Sequence, residues 1–201
     1  MDEIIKLKPK KLIIIEKDKK LYEILKSKYD NQNLEIINED ILKFRFKNYE
    51  KFKIISNLPY NISSKFLLKI IKYNHNISEI ICMIQSELAD KFNKSGKMNK
   101  YKFISEYCSK YEIKFSVSPK VFYPKPKINS KVVKFLVKKQ KINEKKLEYF
   151  MRYFFINKRK KIKSNKNFKN LIVSKYNNYR YEELNYDEVL EIYKTFKLPI
   201  S

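Results

Sequence analysis

Glycine is almost missing: Gly96 is alone among 201 residues. A chain so poor in residues without a Cβ cannot build a Gly-rich phosphate loop of any kind. Histidine is as scarce. His75 sits alone in a polar Asn-His-Asn turn, which argues against Ser-His-Asp chemistry and against a His-ligated zinc. The two cysteines, Cys82 and Cys108, lie in separate apolar segments without metal-ligand spacing and read as buried thiols. No apolar run reaches membrane-spanning length, and the N-terminus lacks a signal-peptide h-region. The expected location is therefore cytoplasmic, or the matrix of an organelle. Acidic residues are few, 22 against 46 basic ones, leaving a net charge of +24.

What is present suits a folded protein with a real core, in one large or two small domains: 43% of residues are hydrophobic and 15% aromatic, against 34% charged. The charge excess points to a polyanionic partner. All but four of the basic residues are Lys, and Ile, Asn and Tyr abound. An AT-rich genome writes that composition by codon drift, so part of the excess is passive surface. Lys, Tyr and Phe nevertheless recur together in the C-terminal third, which favours nucleic-acid binding.

Periodicity predicts strands at Lys11–Ile15, Leu34–Ile37, Phe52–Ser56, Ser78–Ile84, Tyr111–Val117 and Lys131–Val137. Helices are predicted at Lys19–Lys28 (Leu21, Ile24, Leu25), from a Ser63 or Ser64 cap through Tyr73, and at Ser86–Phe92 and Lys102–Lys110. The alternation means an α/β sandwich with a largely parallel sheet. Its last two strands, joined by the proline-rich Pro119–Asn129, suggest an antiparallel edge. After Lys138 only helices are expected, at Lys145–Ile156, near Asn170–Tyr176 and at Asp187–Phe196. The predicted domains are 1–139 and 140–201.

Three polar residues end successive strands: Glu16, Asp40 and Asn57. Ligands of doubly wound sheets sit beyond such ends. Carboxylates there can take the ribose hydroxyls and adenine amine of a nucleoside cofactor, or simply cap the turns that follow. Asn57-Leu58-Pro59-Tyr60 has the form of the Asn-x-Pro-Tyr loop of amino-methylating enzymes. The Asn57 side-chain oxygen and Leu58 carbonyl can accept the hydrogens of an adenine amine, Pro59 stiffens the turn, and Tyr60 can stack on an extruded base. Positioning does the work, so no general base is needed. In the stiff segment Ser118–Lys127, Phe122 can wall a base pocket or pack as core, with Lys125 and Lys127 alongside. The stretch Lys158–Lys169 carries seven cations and no acid, among them Lys158, Arg159, Lys160, Lys161 and Lys163, and suits an RNA backbone.

With these residues in place, the chain resembles the ribosomal RNA adenine N6-dimethyltransferases. Four blocks carry the likeness: Leu12–Asp18 with Glu16, Asn38–Leu42 with Asp40 and Ile41, Ser56–Ser63 around Asn57, and Val121–Ser130 with Phe122. Met83–Glu87 and Phe155–Ile162 add to it and favour the small-subunit enzymes over the related macrolide-resistance enzymes of the large subunit. The resemblance implies a Rossmann-like class I methyltransferase sheet followed by a small all-α C-terminal domain. It implies S-adenosyl-L-methionine as cofactor, held by Glu16, Asp40, Ile41 and Asn57, with Asn57, Leu58, Pro59, Tyr60 and Phe122 around the target adenine. It further implies small-subunit rRNA, or the pre-ribosomal small subunit, as partner of a monomer without metal or membrane.

One departure stands out. The family opens with a Gly-rich strand and turn, and here Asp2–Lys10 resembles only the tail of the helix after it. The expected sheet therefore lacks its first, central strand, between those ending at Glu16 and Asn57. Either the chain is a piece of a longer protein, or its sheet closes across the gap with weakened cofactor affinity. Two functions follow: an rRNA adenine dimethyltransferase, or a non-catalytic rRNA-binding or ribosome-assembly factor derived from that family. A DNA adenine methyltransferase fits less well, since its loop more often carries an acidic or doubled-proline form.

Overall fold

Hydrogen bonding between strands gives two sheets rather than one. The computed structural model describes residues 2–29, 33–46, 49, 51–71, 76–157, 159–165 and 174–198, in two units, Met1–Asn48 and Tyr49–Ser201.

The first unit holds α1 (Asp2–Lys6), β1 (Leu12–Glu16), α2 (Lys19–Lys28) and β2 (Leu34–Asn38). With α2 as crossover, β1 and β2 pair in parallel, from Leu12 opposite Leu34 to Glu16 opposite Asn38. Asp18 starts α2 by accepting the Leu21 N–H at 3.0 Å, a cap worth about 1 kcal/mol. Every residue of β1 is only half-buried. Of the predicted apolar stripe on α2, Leu21 and Ile24 are exposed. Two strands and a short helix enclose too little volume to cover their apolar faces.

The second unit contains β3 (Phe52–Asn57), α3 (Tyr60–Ile70), β4 (Ile77–Gln85), α4 (Ser86–Lys91), α5 (Lys100–Cys108), β5 (Ser109–Val117), β6 (Ser130–Val137), α6 (Glu144–Tyr153) and α7 (Tyr186–Thr195). Its sheet has the order β3-β4-β6-β5. β3 and β4 are parallel, and β6 runs antiparallel to both β4 and β5. The antiparallel edge is as expected, but the largely parallel sheet is not. Parallel pairing holds for β1–β2 and β3–β4 only, because β6 returns from β5 without a helical crossover. β1 pairs with β2 and with no other described strand, so the sheet does not close across the gap left by the missing central strand.

Alternation along the strands buries one face of this sheet. Ile80, Cys82 and Ile84 of β4 and Val133 and Phe135 of β6 lie in the core with Phe66, Leu67 and Ile70 of α3. The Phe92 ring meets Phe135 at 5.1 Å and Tyr111 at 5.8 Å. Both cysteines are buried free thiols, and burial pushes that of Cys82 up to about 12. On the other face Glu79 accepts from Lys134 across the strand pair at 2.6 Å, with Lys53 at 3.9 Å. After β6 the described chain is helical. α6 and α7 join α5 through ring contacts: Phe103 lies 5.4 Å from Phe150, tilted, and 5.8 Å from Tyr193, edge-on. Asn143 caps α6, and Asn185 with Glu188 forms a capping box on α7.

Local chemistry moved several predicted boundaries. α3 begins at Tyr60, not after Ser63 or Ser64, because Pro59 presets the entry to the helix. Ser63 is buried inside α3, and its hydroxyl donates to the Pro59 carbonyl at 2.9 Å. The predicted end of that helix at Tyr73 lies outside the described residues, as does His75. Asn99 accepts the Tyr101 and Lys102 N–H groups at 2.8 and 3.1 Å, so α5 starts earlier than expected. Ser109 and Lys110 belong to β5 instead of that helix. Of the segment expected to be helical near Asn170–Tyr176, Ser174–Tyr176 forms a single 3-10 turn, and 170–173 lie outside the described residues. Among the described residues no helix is long and apolar enough to cross a membrane, and no cluster of His, Cys, Asp or Glu could hold a metal ion.

The Lys134 ammonium holds the Glu79 carboxyl below the ordinary glutamate range. A lowered folded-state pKa stabilises fully above the unfolded value and is lost as pH falls through the folded one. Urea midpoints measured from neutral pH down past the ordinary glutamate value should therefore fall less steeply for Glu79→Gln than for the parent. Equal slopes would show that the pair contributes nothing.

Candidate active site

At the carboxyl end of β3 the chain leaves the sheet through Asn57, Leu58 and Pro59 and enters α3 at Tyr60. Leu58 anchors this turn, its side chain buried in the core. Pro59, at φ −54° and ψ 134°, turns its carbonyl into the helix, where it accepts the Ile62 and Ser63 N–H groups, each at 3.1 Å. The Leu58 carbonyl is left outside the helical ladder, with only a long 3.4 Å approach from the Ser63 hydroxyl. Asn57 is exposed, and its carboxamide makes no hydrogen bond among the described residues. Two acceptors, one without a donor among the described residues and one with only that long contact, thus stand at one strand end.

Tyr60 is half-buried, and its hydroxyl lies 2.7 Å from the hydroxyl of Ser130. Ser130 is the fully buried first residue of β6, in register with Gln85 at the end of β4 and Val117 at the end of β5. The connection carrying Phe122 therefore leaves and rejoins the sheet at the end where the Asn57–Tyr60 turn lies. Within it Phe122 is half-buried, and Lys125 and Lys127 are exposed. Ser130 was not singled out from sequence. A polar residue opening an apolar strand was the available sign.

The two acidic positions lie side by side within the first unit. Glu16 ends β1 opposite Asn38, and Asp40 follows two residues later. The Glu16 Oε1 accepts the Asp18 N–H at 2.8 Å, leaving Oε2 open. Asp40 uses both oxygens, one on Lys17 Nζ and one on the Leu42 N–H, each at 2.9 Å. Lys17, then that backbone donor, holds its carboxyl below the usual range. The turn includes half-buried Ile41. Glu16 does not cap α2, a role taken by Asp18, whereas Asp40 does fasten its own turn.

Arg159, Lys160, Lys161 and Lys163 are exposed and have no acidic partner among the described residues. Lys158 and the cations from 166 onward lie outside the described residues. Backbone bonds fix the segment: the Ile162 N–H donates to Tyr179 at 2.9 Å and the Lys163 N–H to Asn177 at 3.1 Å. The Asn165 carboxamide donates to the Tyr153 carbonyl at 2.7 Å. Tyr179, 49% exposed, thereby presents an aromatic surface beside the free cations. No local sequence pattern marks it, because the backbone pairing that brings it there is not local.

Comparison with known proteins gives the family. The family described as Ribosomal RNA adenine dimethylase matches residues 2–198. Ribosomal RNA small subunit methyltransferase A of Mycoplasma mycoides subsp. mycoides SC is 35% identical, over 91% of this chain and 77% of that protein. The protein of the same name from Malacoplasma penetrans is 43% identical, over 69% of this chain and 52% of its own length. The chain thus spans about half of one relative and three quarters of the other. A dimethyladenosine transferase from Plasmodium falciparum shares the fold with a TM-score of 0.73 at 22% identity, over 91% of this chain and 80% of that one. The 23S rRNA methyltransferase ErmE does so with a TM-score of 0.66 at 17% identity, over 92% and 81%. The chain belongs to the ribosomal RNA adenine dimethylase family.

Proposed function

We propose that this chain is an S-adenosylmethionine-dependent rRNA methyltransferase that dimethylates adenine N6 in small-subunit rRNA, as a monomer in the cytoplasm. The observation that carries it is the pair of acceptors, Asn57 Oδ1 without a hydrogen bond among the described residues and the Leu58 carbonyl with only the long Ser63 contact, beside a tyrosine whose hydroxyl is fixed by Ser130. An adenine amine is a poor nucleophile because its lone pair is delocalised into the ring. Acceptors for both its hydrogens localise that pair and aim it, which is catalysis by positioning and preorganised dipoles. Tyr60 stacks on the flipped base, and Phe122 supplies a second wall. The proton lost on methylation passes to water, so the chain needs no basic side chain.

The acidic residues fit the nucleoside part of the cofactor: Glu16 keeps one oxygen for ribose hydroxyls, and Asp40, through a second lone pair on an oxygen already bonded within the protein, with Ile41 as an apolar contact, would take adenine. When bound, S-adenosylmethionine supplies an electrophilic methyl. Residues 140–201 act as the RNA-binding domain, through Arg159, Lys160, Lys161 and Lys163, with Lys125 and Lys127 reaching the same polyanion from the connection before β6. A second reading, a non-catalytic rRNA-binding factor, is favoured by the engagement of both Asp40 oxygens within the protein.

Methyl transfer to unmodified small subunits separates the two. Asn57→Ala should lower the rate about 100-fold or more. Tyr60→Phe and Ser130→Ala should each lower it roughly 2- to 10-fold, with no further loss in the double variant, since both remove one hydrogen bond. No transfer by the parent, with tight rRNA binding, would select the second reading.

Calorimetric titration with S-adenosylmethionine should give a clear heat with the parent and a much weaker one with Glu16→Ala. Equal heats would remove Glu16 from the site.

Binding of a small-subunit rRNA fragment should weaken steeply with salt. Replacing Lys160, Lys161 and Lys163 by Gln should reduce the slope of log K against log salt by about 2 to 3. An unchanged slope would show a merely solvated face.

A further inference from the structure

Beside the Asn57–Tyr60 turn lies a cavity of about 320 Å³, lined by Gln85, Ser86, Glu87, Lys127, Ile128 and Asn129. It is built where β4 ends and β6 begins. The Ser86 N–H donates to the Asn129 carbonyl at 3.0 Å, and the next residue, Ser130, carries the hydroxyl that meets Tyr60. Asn57 is in register with Met83, two residues before Gln85 on the neighbouring strand. Strand geometry therefore puts the backbones of Asn57 and Gln85 roughly 8 Å apart, within reach of consecutive nucleotides of an unstacked strand.

The lining is chemically unfinished. The Gln85 and Asn129 carboxamides and the Ser86 hydroxyl make no hydrogen bond among the described residues, and Lys127 has no acidic partner there. Each carboxamide offers a donor and an acceptor side by side, the pattern that matches a nucleobase edge. Ile128 adds an apolar surface and Lys127 a cation for a phosphate. The Glu87 carboxylate is engaged by Lys91 at 2.8 Å, so its charge is locally balanced. The volume is near the lower end for ligand pockets, roughly 300 to 1,000 Å³. It suits one unpaired nucleotide and not a base pair.

We propose that this cavity is a second base subsite, which holds the nucleotide adjacent to the target adenine and reads its edge through Gln85 and Asn129. The target-adenine role of Asn57 and Tyr60 is the reading on which this rests. Single-stranded RNA is recognised in this way, by splayed bases bonded along their edges. A residue beside the target would then contribute to choice of site without touching the reacting amine.

The test is fluorescence anisotropy of a fluorescein-labelled RNA hairpin with two adjacent loop adenines, intact or with an abasic residue at one or the other. The parent should bind the intact hairpin about 5- to 100-fold more tightly than either abasic form. The double variant Gln85→Ala/Asn129→Ala keeps the backbone carbonyl that bonds Ser86. It should lose the penalty at one position only, and Tyr60→Ala the penalty at the other. Gln85→Glu, nearly isosteric, should shift preference at the first position toward cytosine, which offers an amino donor. Full penalties at both positions in the double variant, with no shift in Gln85→Glu, would overturn the subsite. If the Gln85 and Asn129 variants act as expected while Tyr60→Ala moves neither penalty, the cavity reading stands and the target-adenine role of Tyr60 fails.

Discussion

The pairing of β6 between β4 and β5 is the constraint on which the candidate site of the second unit depends. Because β6 runs against both neighbours, its first residue sits where they end. The stiff connection bearing Phe122 must then close at the same end of the sheet as the turn after β3. Ser130 turns that topological fact into a contact, its buried hydroxyl meeting Tyr60 at 2.7 Å. A phenol tethered in this way has little freedom left to lose on meeting any ligand, so less of a contact's energy would be spent on ordering the protein.

The same economy governs the basic surface. Its cations are long and exposed, yet the segment beneath them is fixed by backbone bonds from Ile162 and Lys163 to the turn at 177–179. Side chains without acidic partners can release counterions on meeting phosphate without first breaking an ion pair. Tyr179 adds a ring at that place. An aromatic among unpaired cations is the combination that single-stranded RNA favours.

The first unit is held by different means. Its two strands bury little, and its acidic residues are tied down by neighbours: Glu16 by the Asp18 amide, Asp40 by Lys17 and the Leu42 amide. Such short-range bonds orient carboxylates well, at the cost of part of their capacity for a ligand. Glu16 retains more of that capacity than Asp40.

How much was legible in the sequence follows from the range of the forces involved. Strand positions, the α2 helix at Lys19–Lys28, the antiparallel edge and the turn at Asn57–Tyr60 were readable, because period, capping chemistry and proline act over a few residues. Boundaries slipped where a residue just outside the periodic run did the capping, as Asn99 does for α5. Composition pointed to a polyanionic partner, and the motif marked the acceptors at Asn57 and Leu58. Tertiary structure alone decided that the strands form two sheets, that Ser130 fastens Tyr60, that Tyr179 stands beside Lys161 and Lys163, and that Gln85 and Asn129 share a cavity. Those groups are separated along the chain and carry no mutual sequence pattern. Tyr60, Ser130, Gln85 and Asn129 come to one end of the sheet through strand register, and Tyr179 comes to the cations through the backbone bonds of Ile162 and Lys163.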